Sequence, residues 1–263
     1  MLLTKKIIIP IYKSRMQYSE TKTPLFDGIL VINKPAGPTS HDVVNAIRTK
    51  FGFGKVGHGG TLDPQATGTL VILIGKATKL SDKFINSDKI YQGTMRLGIE
   101  TDSYDSEGII IKETNPSSIT IQQIRDAMNS FKGDIYQIPP MTSAIKIKGV
   151  PLYKLAHKGE TVERKPKLVH IYEFRLLSFN SPDIEFIVRC SKGTYVRTLC
   201  HDVGKMLGCG AHLTALCRMA AGNFTLSEAI PFHEVIKMDI HEIRKLMIPL
   251  STLNNDFIPQ IKK

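Results

Sequence analysis

Between residues 54 and 75 the chain reads GKVGHGGTLDPQATG and then TLVILIG. No other stretch limits the fold as strongly. Glycine admits left-handed backbone and close approach of other groups. Pro64 restricts Asp63 to extended forms. A tight, irregular loop must therefore feed directly into the apolar run TLVILIG (69–75), which reads as a strand or buried segment. The upstream flank agrees with a compact core. GILVIN (28–33) reads as a buried strand and KPAGPTS (34–40) as a turn. Ser40 reads as the cap of a helix through HDVVNAIRTKFG, with Val43, Val44 and Ile47 on one face.

Downstream, residues 76–86 read as helical and KIYQGTMRLG (89–98) as an alternating strand. ETDSYDSEG (100–108) reads as a solvated acidic turn, because its spacing departs from a calcium loop. SITIQQIRDAMNSFKG (118–133) is an amphipathic helix with Ile121, Ile124, Met128 and Phe131 on one stripe. Residues 136–159 break at two prolines and then offer a short helix. Residues 167–179 and 184–191 read as a hairpin around SFNSPD. TYVRTLCHDVGKMLG (194–208) reads as a helix ended by Gly208, and AHLTALCRMAAG (211–222) as another. A last helix starts near Asp239. Strands and helices do not alternate regularly, so the chain is expected to be α+β and not a doubly wound nucleotide fold. Residues 1–26 read as a basic, disordered extension with no signal-peptide core, 27–250 as one catalytic domain, and 251–263 as a tail.

Charge narrows the partners. Lys and Arg number 35 against 24 Asp and Glu, a net +11, which favours a polyanion. Cys190, Cys200, Cys209 and Cys217 form no CxxC pair and read as reduced thiols. No apolar run is long enough to cross a bilayer. The glycine-rich loop lacks the G-x-x-x-x-G-K-[ST] of a phosphate loop and the G-x-G-x-x-G of a dinucleotide site. None of the eight histidines has the i, i+4 spacing of an H-E-x-x-H zinc site. Neither a nucleotide cofactor nor a metal is expected.

Two readings of Asp63 stand on the local sequence alone. It either braces its own turn or is a carboxylate presented on a fixed backbone. A second segment, RCSKGTYVRTLCHDVG (189–204), sets Lys192, Tyr195 and Arg197 at a strand-to-helix junction. Arg197 either pairs with a buried carboxylate such as Asp63 or lies along the surface. Tyr91 beside Lys89, and Tyr195 beside Arg197, put an aromatic ring next to a cation, which is how an unpaired base is stacked. Core packing is the alternative for either ring.

Three blocks together resemble the bacterial tRNA pseudouridine-55 synthase family (TruB). They are DGILVINKPAGPTSHDVV (27–44); GKVGHGGTLDPQATGTLVI (54–72) with KIYQGTMRLGIETDSYDSEG (89–108); and RCSKGTYVRTLCHDVGKMLGCGAHLTALCRMAAGNF (189–224). The resemblance implies a pseudouridine synthase fold, with a mixed, largely antiparallel central sheet flanked by helices. It implies isomerisation of uridine 55 in the tRNA T-loop by base flipping, without a cofactor. Asp63 is then the catalytic aspartate, Tyr91 the tyrosine that stacks on the target base, and Tyr195 and Arg197 the Tyr and Arg of K-G-T-Y-x-R, the Arg pairing with Asp63. His58 fills the gap left by the flipped nucleotide, Leu216 lines the uridine pocket, and Lys34 lies near it as a substrate-binding residue.

The partner so implied is the T-loop and T-stem of tRNA, met by a cytoplasmic monomer that needs no protein partner and no membrane. Leu216-Cys217-Arg218 departs from the usual L-R-R, and a further PUA-type RNA-binding domain carried by many relatives is not evident. Two rivals are a synthase for another RNA, including the guide-dependent kind, and a non-catalytic tRNA chaperone.

Overall fold

The computed structural model describes residues 26–253, except 144–145, 148, 153–154, 156–158 and 161. The first part of the chain gives β1 (Gly28–Lys34), α1 (Ser40–Phe51), β2 (Val56–His58) and β3 (Thr67–Ile74). A 3-10 turn (Gly75–Leu80) and α2 (Ser81–Ile85) lead to β4 (Lys89–Leu97), β5 (Ile99–Thr101) and β6 (Ile110–Glu113). Next come α3 (Ile121–Ser130), β7 (Gly133–Gln137), the two-residue strands β8 (Lys146–Ile147) and β9 (Val150–Pro151), and the hairpin β10 (Lys167–Asn180) and β11 (Asp183–Cys190). The chain continues through α4 (Val196–Met206), β12 (Ala211–Ala221), β13 (Phe224–Thr225), β14 (Ile230–Pro231), α5 (Phe232–Val235), α6 (Ile240–Leu246) and β15 (Ile248–Pro249).

The central sheet runs β14-β1-β3-β12-β4-β11-β10-β7. Its long ladders are antiparallel, while β1 with β14 and β3 with β12 are parallel. The β3–β12 contact joins the two halves of the sheet and is only two pairs long, Cys217 with Thr67 and Arg218 with Gly68. Register shifts at Leu213/Ala215 and Arg218/Ala220 bracket this part of β12. Such bulges re-aim side chains locally.

Helices cover one face in two groups. α3 and α4 lie over Met95, Phe174, Phe186 and Val188. α1 lies over Leu30, Ile32, Leu70 and Ile72 with Val43, Val44 and Ile47, the stripe expected from the sequence. Tyr91 and Leu216 touch both groups and mark the seam between them. Each fully buried large side chain contributes about 1.5–3 kcal/mol. A third cluster, including Val71, Leu73, Phe84 and Phe224, packs separately from these two. Among the described residues no helix is long and apolar enough to cross a membrane.

Several expectations change. AHLTALCRMAAG is not a helix; its residues Ala211–Ala221 form the middle strand of the sheet. Thr39, not Ser40, caps α1 in a reciprocal box with Asp42. Ser40 turns inward, and its hydroxyl bonds both the N–H and the carbonyl of Leu62, at 2.8 and 3.1 Å. The helix expected over 118–133 is confined to Ile121–Ser130, where Thr120 and Gln123 box its start. The expected short helix within 136–159 falls largely on residues outside those described, as do the extension at 1–25 and tail residues 254–263.

Candidate active site

Asp63 sits in the loop between β2 and β3, and buried cations hold that loop by its backbone carbonyls from two sides. Lys34 is fully buried, and its Nζ donates to the carbonyls of Pro35, Pro38 and Pro64 at 2.8, 2.8 and 2.9 Å. The Gly37 N–H donates to the same Pro64 carbonyl. Burial lowers the Lys34 ammonium to about 8, against the attraction of Asp63. Lys34 therefore binds the NKPAG turn to the peptide after Asp63.

From the other side comes Arg218. Only 1% exposed, it donates from Nε to the Thr69 carbonyl at 2.7 Å, from Nη1 to Thr61 at 3.2 Å and from Nη2 to Gly60 at 3.0 Å. Gly68 makes this approach possible. Its φ is +102°, and a Cβ there would lie 2.4 Å from the Arg218 carbonyl oxygen.

The carboxylate meets Arg197 from the first turn of α4. Arg197 Nη2 lies 2.8 Å from Asp63 Oδ2, and the same guanidinium donates to Asp105 Oδ2 at 3.2 Å, Thr142 Oγ1 at 2.6 Å and the Thr142 carbonyl at 3.2 Å. Arg197 is 6% exposed in its side chain and Asp63 47%. The exposed part of the carboxylate faces a recess that Tyr91, Tyr195 and Leu216 also line. Burial pushes the Asp63 carboxyl above its ordinary range, Arg197 pulls it back, and Asp105 and Glu107 push it up again. The helix start that presents Arg197 is itself fixed. The buried amide of Gln137 accepts from the Tyr195 N–H at 3.0 Å and donates to the Tyr195 carbonyl at 3.3 Å.

Asp63 and Leu216 lie on the walls of two adjoining cavities. One, of about 280 Å³, also takes in Tyr91, Tyr195, Arg197, Lys89 and Arg218. The other, of about 540 Å³, runs past Gln65, Thr67, Gln92, Asp105 and Cys217. Tyr91 and Arg218 pair across the β4–β12 ladder, as do Gly93 and Leu216. A Cβ at Gly93 would come within 3.2 Å of the Leu216 side chain, so glycine makes room for it. Burial raises the Tyr91 and Tyr195 hydroxyls, keeping both rings neutral.

His58 stands apart, on neither cavity wall; its Nδ1 accepts from the Gly60 N–H at 3.3 Å, and burial followed by Arg218 lowers its pKa. Lys89, read with Tyr91 as a base-stacking pair, spends its ammonium on the carbonyls of Phe84, Ile85 and Ser87, and burial lowers it to about 7.

Asp63, Tyr91, Tyr195, Arg197 and Leu216 thus converge as the sequence implied. Asp105, Thr142, Gln137 and Arg218 were not foreseen. Asp105 lies in a segment that reads as a solvated turn, and Arg218 in the Leu216-Cys217-Arg218 departure from L-R-R. Among the described residues no group of three His, Cys, Asp or Glu side chains converges as metal ligands would. A carboxylate held by a buried guanidinium, beside an aromatic ring and a leucine, suits a flat, neutral ring and its attached sugar.

The family model for TruB family pseudouridylate synthases (N-terminal domain) matches residues 48–196. The chain belongs to the TruB family. The model for the tRNA pseudouridylate synthase B C-terminal domain matches 197–253, a TruB segment that here supplies the middle strand of the sheet. Two TruB relatives, both named tRNA pseudouridine synthase B, are closely similar. That of Opitutus terrae is 48% identical over 224 residues, 85% of this chain and 93% of its own. That of Syntrophotalea carbinolica is 47% identical over 225 residues, 86% of this chain and 74% of its own. The structure of a Cbf5-Nop10-Gar1 complex shares the TruB chain's fold with a TM-score of 0.67 at 28% identity. That likeness covers 86% of this chain and 60% of the Cbf5-complex chain.

Proposed function

We propose that this chain converts uridine 55 in the T-loop of tRNA to pseudouridine, with Asp63 as the catalytic carboxylate. The reaction breaks the N1–C1′ bond, turns the uracil, forms the C5–C1′ bond, and moves the proton lost from C5 to N1. No atom is gained or lost, so the chain's own groups suffice. The observation that carries the reading is the 2.8 Å pair of Arg197 with Asp63 on a cavity shared with Tyr91 and Leu216. A base inside folded RNA must first be flipped out. In this reading Tyr91 and Leu216 then hold the uracil, and ionised Asp63 faces the glycosidic bond as it breaks. His58 occupies the space that the flipped nucleotide leaves. Residues 27–250 act as one catalytic domain, in a cytoplasmic monomer.

Asp63→Asn keeps the shape and removes the charge. We expect it to abolish pseudouridine in a T-loop transcript while RNA affinity changes by no more than about threefold. Product formed by Asp63→Asn would remove Asp63 from the role. A wild-type protein that works only with a guide RNA or a partner protein would move the chain to the guided class, and one that binds without converting would make it a chaperone.

A further inference from the structure

We infer that Tyr104 and His201 form a stacked clamp that positions Asp105 on Arg197, and through it aims Asp63. Neither touches the carboxylate; both are positioning residues. The inference rests on the reading of Asp63 as the catalytic carboxylate.

Tyr104 is the one non-glycine with positive φ among the described residues, at 68°. A side chain in that region is strained and persists only where its surroundings hold it. Here the surroundings are specific. The Tyr104 N–H donates to the Thr101 carbonyl at 3.2 Å, and its own carbonyl accepts from the Leu213 N–H at 2.9 Å. The Ser106 N–H donates back to Leu213 at 3.1 Å. These bonds fasten the 101–106 turn to β12, immediately before Leu216. The ring then lies flat on His201, with centroids 4.0 Å apart and planes inclined by 21°.

His201 stands one helical turn beyond Arg197 on α4, so the two side chains share a face. The turn is therefore gripped by the same helix that carries the guanidinium. Asp105, next after Tyr104, has its Oδ1 occupied by the Ser103 hydroxyl and the Glu107 N–H. Its Oδ2 is left for Arg197. A positive φ at residue 104 fixes the direction in which the Asp105 carboxylate leaves the backbone, and the stack keeps that φ in place. The His201 Nδ1 is buried and has no hydrogen-bond partner among the described residues. Burial lowers its pKa, and a neutral imidazole can stack without separating a charge from water.

The test uses the full chain and a T-loop transcript under single-turnover conditions with enzyme in excess. Tyr104→Gly accepts the backbone angle but removes the ring. We expect its rate to fall about tenfold, as sub-ångström misplacement of a reacting group does, with RNA affinity within about twofold. Tyr104→Phe should keep the wild-type rate, and His201→Ala should repeat the loss. In an Asp105→Asn background Tyr104→Gly should cost nothing further.

The clamp is wrong if Tyr104→Gly and His201→Ala both keep the wild-type rate, if Tyr104→Phe is as slow as Tyr104→Gly, or if the glycine variant loses as much without Asp105. Nitrogen NMR of the Arg197 guanidinium reads the same contact without turnover. Slow rotation in the wild type that quickens in Tyr104→Gly supports the clamp, and unchanged rotation overturns it. A wild-type protein inactive on the transcript would count against the functional reading, not against the clamp.

Discussion

At the scale of single residues, the electrostatics of Asp63 lead to a pH dependence. Its carboxyl is raised by burial more than Arg197 lowers it. Only the ionised form serves the proposed chemistry. Activity should therefore fall as pH drops through a value above the ordinary carboxylate range, and a rate–pH profile on the T-loop transcript gives that limb directly. A limb at or below about pH 4, the usual carboxylate value, would contradict the burial. Arg218 supplies a second residue-scale expectation. Arg218→Met leaves the Gly60, Thr61 and Thr69 carbonyls without their donor, and each unsatisfied buried group costs about 1–3 kcal/mol. Urea unfolding should show a loss of about 3 kcal/mol or more, with activity lost even where the variant is folded. The sequence showed the carboxylate and its arginine because each lies in a compact run of special residues. It did not show Arg218 at work, since its acceptors are 149 to 158 positions away and are plain carbonyls with no side-chain signature.

At the scale of elements, strands with a regular apolar pattern were legible, and the strand interrupted by bulges was not. KIYQGTMRLG alternates, and it is β4. AHLTALCRMAAG carries Leu213, Leu216 and Ala220 at helical spacing, but it is a strand between β3 and β4 whose burial does not alternate. Two bulges disturb the period further. Asp105 failed for the opposite reason: its local surroundings are those of a solvated turn, and only the fold brings it to Arg197. The crossing of β3 and β12 can be probed at Gly68. Gly68→Ala sets a Cβ against main-chain atoms of Arg218 in a left-handed backbone. We expect a loss of about 3 kcal/mol or more in thermal or urea unfolding, well beyond the roughly 1 kcal/mol of an ordinary glycine replacement.

At the scale of the whole molecule, the surplus of +11 should govern RNA affinity more than any single contact. Each phosphate contacted contributes about 0.7–0.9 to the slope of log affinity against log salt, so affinity should fall at least about tenfold from about 50 to 200 mM salt. Asp63→Asn should show the same slope as the wild type, because the carboxylate pairs with Arg197 and not with a counterion. A flat salt response would argue that the T-loop is gripped by shape and stacking alone.

The sheet also has a history. Its middle strand is made after both of its neighbours, β3 and β4, and after the β10–β11 hairpin. Until residues 211–221 emerge, β3 and β4 have no strand between them, and each half of the sheet exposes an unpaired edge. The glycine loop then lacks Arg218, and the recess lacks Leu216. A nascent chain that lacks this strand gives α1 the β1–β3 pair and α3 the strand β10 to pack on, but leaves α4 without β12, its main partner in the sheet. It cannot assemble the proposed catalytic recess. Insertion of one strand closes the sheet and completes that recess in the same event, so a chain interrupted before that strand is made carries Asp63 and Arg197 but has no site for them to share.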